Sequence, residues 1–205
     1  MSKIKLTKGE LKRQRDALKQ FLRYLPTLQL KKQQLQMEIL NQFNLLEEKR
    51  HLEAKQKNAI ESWAGLLAEP GIDLSGWIRP GEIVCGAKNI AGVEVPLFER
   101  AEFGLPEYDL FIMPLWVDTA IEALRSVVAL GEEISVLEKG IGILRQELRI
   151  TTQRVNLFEK VKIPEAEESI RLIKIYLGDQ MANAVGRSKI AKRKIEQAAL
   201  EEAYA

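Results

Sequence analysis

Apolar residues recur along this 205-residue chain at alternating steps of three and four. From position 11 the series 11, 14, 18, 21, 25, 28, 32, 35, 39, 42, 46 puts Leu11, Leu18, Phe21, Leu25, Leu28, Leu35, Ile39 and Leu46 on one stripe, interrupted by Gln14, Lys32 and Gln42. A second series is longer and cleaner: Trp116, Ala120, Ala123, Val127, Leu130, Ile134, Leu137, Ile141, Leu144, Leu148, Thr151, Val155 and Phe158, with Thr151 its single polar member. A mean spacing of roughly 3.5 residues keeps one seam turned toward a partner and marks a left-handed coiled coil. After Phe158 the register slips, and Ile163, Ala166, Ile170, Ile173 and Leu177 resume it in a new phase. The slip lies beside Pro164, where a local stutter or kink is expected.

Punctuation divides the chain into three zones. Residues 70–114 hold six of the 13 glycines and five of the seven prolines, whereas 1–69 and 115–205 read as helix. Thr7 and Glu10 have the spacing of a capping box, which starts the first helix. Pro26 lies inside that helix and is expected to bend it or loosen its first third, since its ring removes the bond to the carbonyl of Leu22. In the middle zone, residues 82–88 and 93–98 flank a turn at 89–92 and read as a short β-hairpin, with Pro96 on an edge strand. The expected fold is mainly all-α: a long antiparallel two-helix coiled-coil hairpin, with a small irregular head containing a short β-hairpin. At 1.5 Å per residue the two helices would reach roughly 90 and 110 Å, a rod.

Composition strengthens the helical reading and weakens every catalytic one. Charged residues make up 29% of the chain and aromatics 6%, the mix of long helices rather than of a mixed sheet domain. One cysteine and one histidine exclude an internal disulfide and a Cys/His metal site. Cys85 reads as a small buried hydrophobe and His51 as part of a solvated face. There is no G-x-x-x-x-G-K-[ST] loop. Gly140 and Gly142 fall inside the heptad series and suggest a close helix–helix contact. Glu132-Glu133 and Glu167-Glu168 are sequence neighbours that point to different sides of a helix, not a converging acid–base pair. No cofactor is expected, and no apolar run approaches the roughly 20 residues of a membrane helix.

Net charge is only +2, but its distribution is uneven. The first 32 residues carry ten Lys or Arg, Lys12, Arg13 and Arg15 among them, against Glu10 and Asp16. Near the other terminus Arg187, Lys189, Lys192, Arg193 and Lys194 run without an acid. In an antiparallel hairpin the two stretches would lie side by side, which costs stability unless something anionic surrounds them. An acidic protein sleeve would serve. A scaffolding coiled-coil hairpin on an anionic membrane or nucleic acid is the alternative.

Specific residues then favour one family. Arg154-Val155-Asn156-Leu157-Phe158-Glu159, Ile163-Pro164, Glu167-Glu168-Ser169-Ile170 and Ile173 closely resemble a signature of the D subunit of the V-type and A-type ATPases. Residues 7–11, 28–35 and 89–99 are similar to that family's N-terminal helix and middle segment, in the same order. The resemblance implies a non-catalytic central-stalk rotor. Its partners would be the A and B subunits of the catalytic ring, the F subunit, and the funnel-shaped C (or d) subunit that sits over the membrane ring. It implies neither nucleic-acid binding nor direct membrane insertion. The expected location is cytoplasmic, peripheral to the membrane through the complex. Lys12, Arg13, Arg15, Lys189, Lys192, Arg193 and Lys194 are the expected contacts to the A/B ring.

Overall fold

A computed structural model describes residues 5–69, 72–106, 108 and 113–204. Helix α1 (Lys8–Glu61) is followed by a 3₁₀ turn (Ala64–Ala68), a one-turn helix α2 (Ser75–Ile78) and strands β1 (Pro80–Ile90) and β2 (Val93–Phe103). Then come α3 (Trp116–Leu157), a π-helical turn (Phe158–Lys162) and α4 (Ile163–Tyr204). The chain is mainly α, with one two-stranded antiparallel sheet among the described residues. It divides into two compact units, Leu30–Thr152 and the remainder.

In the Leu30–Thr152 unit, α1 and α3 pack antiparallel. One core cluster joins Leu35 and Ile39 to Leu144, and the next joins Leu46 to Ile134, Leu137 and Ile141. Positions rise on α1 as they fall on α3, and the flanking ion pairs keep the same register: Lys31–Glu147 and Lys49–Glu133, each at 2.8 Å, and Arg50–Glu138. Burial of a Leu or Ile in such a seam is worth about 1.5–3 kcal/mol relative to exposure. Glu133 thus belongs to an interhelical pair rather than to an idle surface.

α3 buries more than its seam. Val117, at 1% exposure, and Ile121, at 3%, lie off the heptad series and are covered by the segment that joins the long helices. All three tryptophans of the chain, Trp63, Trp77 and Trp116, pack into this cluster around Leu74, Val117, Ala120 and Ile121. Arg125 fastens the connector to α3: Nε donates to the carbonyl of Trp77 at 2.9 Å, Nη2 to that of Gly104 at 2.6 Å, and the guanidinium lies over the Phe103 ring.

The β-hairpin is longer than the sequence signals indicate. Its strands pair from Pro80–Phe103 to Ile90–Val93, with irregularities after Pro80 and Val84. The turn is two residues, Ala91 and Gly92, both at positive φ (51° and 78°), a type I′ geometry that matches the twist of the strands. The four-residue turn predicted at 89–92 shortens because Ile90 remains paired, while the Asn89 side chain accepts from the Gly92 N–H at 3.0 Å. Cys85 is exposed, contrary to the buried position expected of it. Strand alternation turns Val84 and Gly86 inward and leaves Cys85 on the outer face.

In the other unit the N-terminal part of α1 pairs with the region after Gln153. The Phe21 and Phe158 rings meet at 5.3 Å. Helix α1 continues through Pro26, where the sequence predicts a bend or a loosened first third. Phe21, Leu25 and Leu28 remain half-buried on both sides of the proline, so packing holds the element despite the missing bond. Only half of the capping box forms: the Glu10 N–H donates to Thr7 Oγ1 at 3.2 Å, while the Glu10 carboxylate accepts from Gln14 Nε2 at 2.8 Å instead of reaching back. The expected slip in register is the π-helical turn, which ends at Lys162, separated from Pro164 by Ile163. A π turn holds one more residue than an α turn, so the spacing from Phe158 to Ile163 is absorbed and the seam continues. Ala166, Ile170 and Ile173 are buried in the shifted phase.

Candidate partner-binding surface

No cluster of three or more potential metal ligands occurs among the described residues, and no described helix is long and apolar enough to cross a membrane. Among the described residues the buried polar side chains are Thr151 and Ser169, and no buried side-chain polar atom lacks a partner. The Ser169 hydroxyl donates to the Glu165 carbonyl, a local helical bond.

The seam positions are placed as follows. On α1, Leu35, Ile39 and Leu46 are buried, while Leu11, Leu18, Phe21, Leu25 and Leu28 are half-buried. On the other strand of the coil, Leu130, Ile134, Leu137, Ile141, Leu144 and Val155 are buried, with Leu148 and Phe158 half-buried. Gln14, Lys32 and Gln42, polar members of the same register, are half-buried as well. A long side chain can line a seam with its stem and keep its polar tip wet.

The two basic stretches do not lie side by side. Counting along antiparallel helices from the Phe21–Phe158 contact brings Lys12 to the level of Glu167 and Glu168. Helix α1 begins at Lys8, whereas α4 runs on to Tyr204. Among the described residues Ile173 is the last buried one of α4, Leu177 is half-buried, and every residue from 178 to 199 is exposed. That bare stretch is about 33 Å long at 1.5 Å per residue. Lys189, Lys192, Arg193 and Lys194 all lie on it, and the same count along the two helices puts them beyond the level at which α1 begins. The expectation failed because it equated the ends of the helices, when α4 outlasts α1.

Both stretches are solvent-facing. Lys12, Arg13 and Arg15 are exposed, and Arg13 approaches Glu10 only to 3.9 Å. On α4, Lys192 reaches Glu196 at 3.7 Å; among the described residues Lys189, Arg193 and Lys194 form no ion pair. Apolar side chains accompany the charges: Met181, Val185, Ile190 and Ile195 are each more than half exposed. Leu, Ile and Val are sparse in this stretch, three in 178–199 against ten in 130–155, but that thinning alone did not show where the covering ends. Counting seam residues on each helix would have, since α1 runs out of partners before α4 does.

The sequence profile of the family described as the D subunit of ATP synthase matches residues 10–193. The chain belongs to that family. It is 50% identical over 192 residues to the V-type ATP synthase D subunit of Borreliella burgdorferi (strain B31), covering 94% of this chain and 95% of the relative. The V-type ATP synthase D subunit of Chlamydia trachomatis serovar L2 is 32% identical over 206 residues, 96% and 98% of the two chains. That of Chlamydia pneumoniae is 35% identical over 199 residues, 94% and 93%. The match takes in the signature around Arg154 and Asn156 and the basic residues through Arg193.

Proposed function

We propose that this chain is the non-catalytic rotor of the central stalk in a V-type or A-type ATPase. It couples ATP hydrolysis or synthesis in a ring of A and B subunits to rotation and ion transport. Family membership supports the assignment to the complex. The observation that carries the mechanical part is the bare stretch of α4 at 178–199, a single basic helix with exposed apolar side chains and, among the described residues of its unit, no covering element.

A lone helix with this surface needs an enclosure that is apolar in part and acidic in part. The A/B ring would provide one, with Lys189, Lys192, Arg193 and Lys194 inside it. Lys12, Arg13 and Arg15 would lie nearer its mouth. Exposed ion pairs contribute only about 0–1 kcal/mol each, so diffuse charge centres the helix without holding it at one angle. The F and C (or d) subunits would bind along the other elements, keeping the chain peripheral to the membrane.

Cys85 is the only cysteine and is exposed, so it offers a single point for attaching a probe. Full-length chain biotinylated there, assembled with its F partner and an immobilised A/B ring, is expected to turn a streptavidin bead in one direction when ATP is added. An assembled, ATP-hydrolysing complex whose bead stays fixed would overturn the rotor assignment.

A further inference from the structure

Gly140 sits in the middle of α3, buried, where a helix interior disfavours glycine. The sequence pairs it with Gly142 and suggests contact with another helix. The neighbour is instead the β-hairpin: a Cβ built on Gly140 would fall 2.7 Å from Cγ1 of Val95, with the carbonyl oxygen of Pro96 at 3.9 Å. Gly142, two residues on, has nothing within 4 Å of the same construction. Val95 is 5% exposed and joins Leu35, Ile39 and Leu144 in one cluster, flanked by Ile90, Ala91 and Val93. The tip of the hairpin therefore lies across the coiled coil and closes one side of its core.

We infer that the β-hairpin is a separable strap, seated in a slot that Gly140 leaves in α3, and that this slot fixes where the hairpin sits around the two helices. Val95 is β-branched and has little χ1 freedom, so it cannot turn aside for a methyl group on residue 140. The strand would have to lift. A two-stranded sheet is marginal without a surface to pack on, so lifting releases the tip as a unit. At the other end Arg125 still holds Gly104 and Trp77, which leaves the strap tethered rather than lost. In a rotating shaft a strap locked at one position gives the coil a marked side. That consequence rests on the rotor reading; the slot does not.

The test compares full-length wild type with Gly140→Ala, Gly142→Ala and the double variant Gly140→Ala/Val95→Ala. Lys88 is exposed and pairs with Val95 across the hairpin, so tryptic cleavage after Lys88, followed by mass spectrometry, reports whether the tip is seated. Gly140→Ala is expected to speed that cleavage at least about tenfold, in proportion to the population of the open form, with helical circular dichroism unchanged. Gly142→Ala should cleave at the wild-type rate. The double variant, which removes the clashing methyl, should fall back toward wild type. Wild-type cleavage in Gly140→Ala, a double variant as fast as the single one, or loss of helical signal together with the hairpin would each overturn the proposal. None of these readouts involves the ring or ATP, so failure of the rotor reading would leave them untouched.

Discussion

Residues 130–155 of α3 and 178–199 of α4 both mix apolar residues with Lys, Arg, Glu and Gln, and both are helix. In the first, Leu130, Ile134, Leu137, Ile141, Leu144, Thr151 and Val155 are buried; in the second nothing is. The first carries ten Leu, Ile and Val and meets facing residues of α1; the second carries only three, and among the described residues of its unit nothing covers them. A helical period announces which side of a helix wants a partner. It does not say whether the partner is in the same chain.

Side-chain truncations at matched positions of the two helices should have very unequal consequences. Leu144 is wholly buried, so Leu144→Ala should cost about 2–5 kcal/mol in denaturant unfolding, and Leu144→Asp more, because a charge is then left unpaired in the seam. Ile195→Ala in the bare stretch, where Ile195 is 70% exposed, should change stability of the isolated chain by less than about 0.5 kcal/mol. Comparable costs at both sites would mean that the 178–199 helix is covered in solution, by a second copy of the chain for example.

The surface charge of the bare stretch should matter to assembly and not to folding. Reversing Lys189, Lys192, Arg193 and Lys194 together should leave the melting of the chain nearly unaltered while weakening its assembly with an A/B ring. The loss should shrink at high salt, since the Debye length falls from about 10 Å at 0.1 M to about 3 Å at 1 M. Titrating the ring with wild-type and reversed chains, each bound to the F subunit, at two ionic strengths checks it. Equal affinities at low salt would make these residues an ordinary solvated face.

How much of this was legible in the sequence follows from the same contrast. The seam was readable because each step of three or four repeats a demand that packing must meet, and the slip after Phe158 was readable because one extra residue breaks the count. The β-hairpin was readable at its core, where β-branched residues cluster, but not at its ends. What escaped depends on elements distant in sequence. Cys85 is exposed because of strand parity, and Gly140 is a slot because Val95 arrives there. Val117 and Ile121 are buried off the seam because the connector folds over α3. The side-by-side placement of the basic stretches failed for a simpler reason: it aligned the ends of two helices of unequal length.

The ion pairs across the coil give a finer test. Lys49 and Glu133 meet at 2.8 Å with both side chains largely sheltered, at 29% and 22% exposure. Glu133→Ala should therefore cost about 0.5–1 kcal/mol in thermal or urea unfolding, in the upper part of the range for such pairs. Lys192→Ala, whose contact with Glu196 is long and open, should cost nothing measurable. The reverse ranking would mean that α1 and α3 pair in a different register in solution.

The smallest expected effect concerns Glu168 and Arg171, a local pair on an exposed face of the covered part of α4. Arg171 donates through Nε and Nη2 to the two carboxylate oxygens at 2.8 and 2.7 Å. This hydrogen bonding holds the Glu168 carboxyl below its usual value and raises the guanidinium's. A carboxyl with a folded-state value below the unfolded one adds stability at pH above the unfolded value, and that contribution disappears as pH falls through the folded one. Because both groups face water, salt and solvent screen the effect, and no change in melting is expected from it alone. Carboxyl-carbon NMR titration is the direct measurement: Arg171→Ala should move the Glu168 midpoint up into the ordinary glutamate range, while Arg171→Lys, which cannot make the two-pronged contact, should move it part of the way. A midpoint unchanged by Arg171→Ala would show that the fork seen between these side chains does not persist in solution.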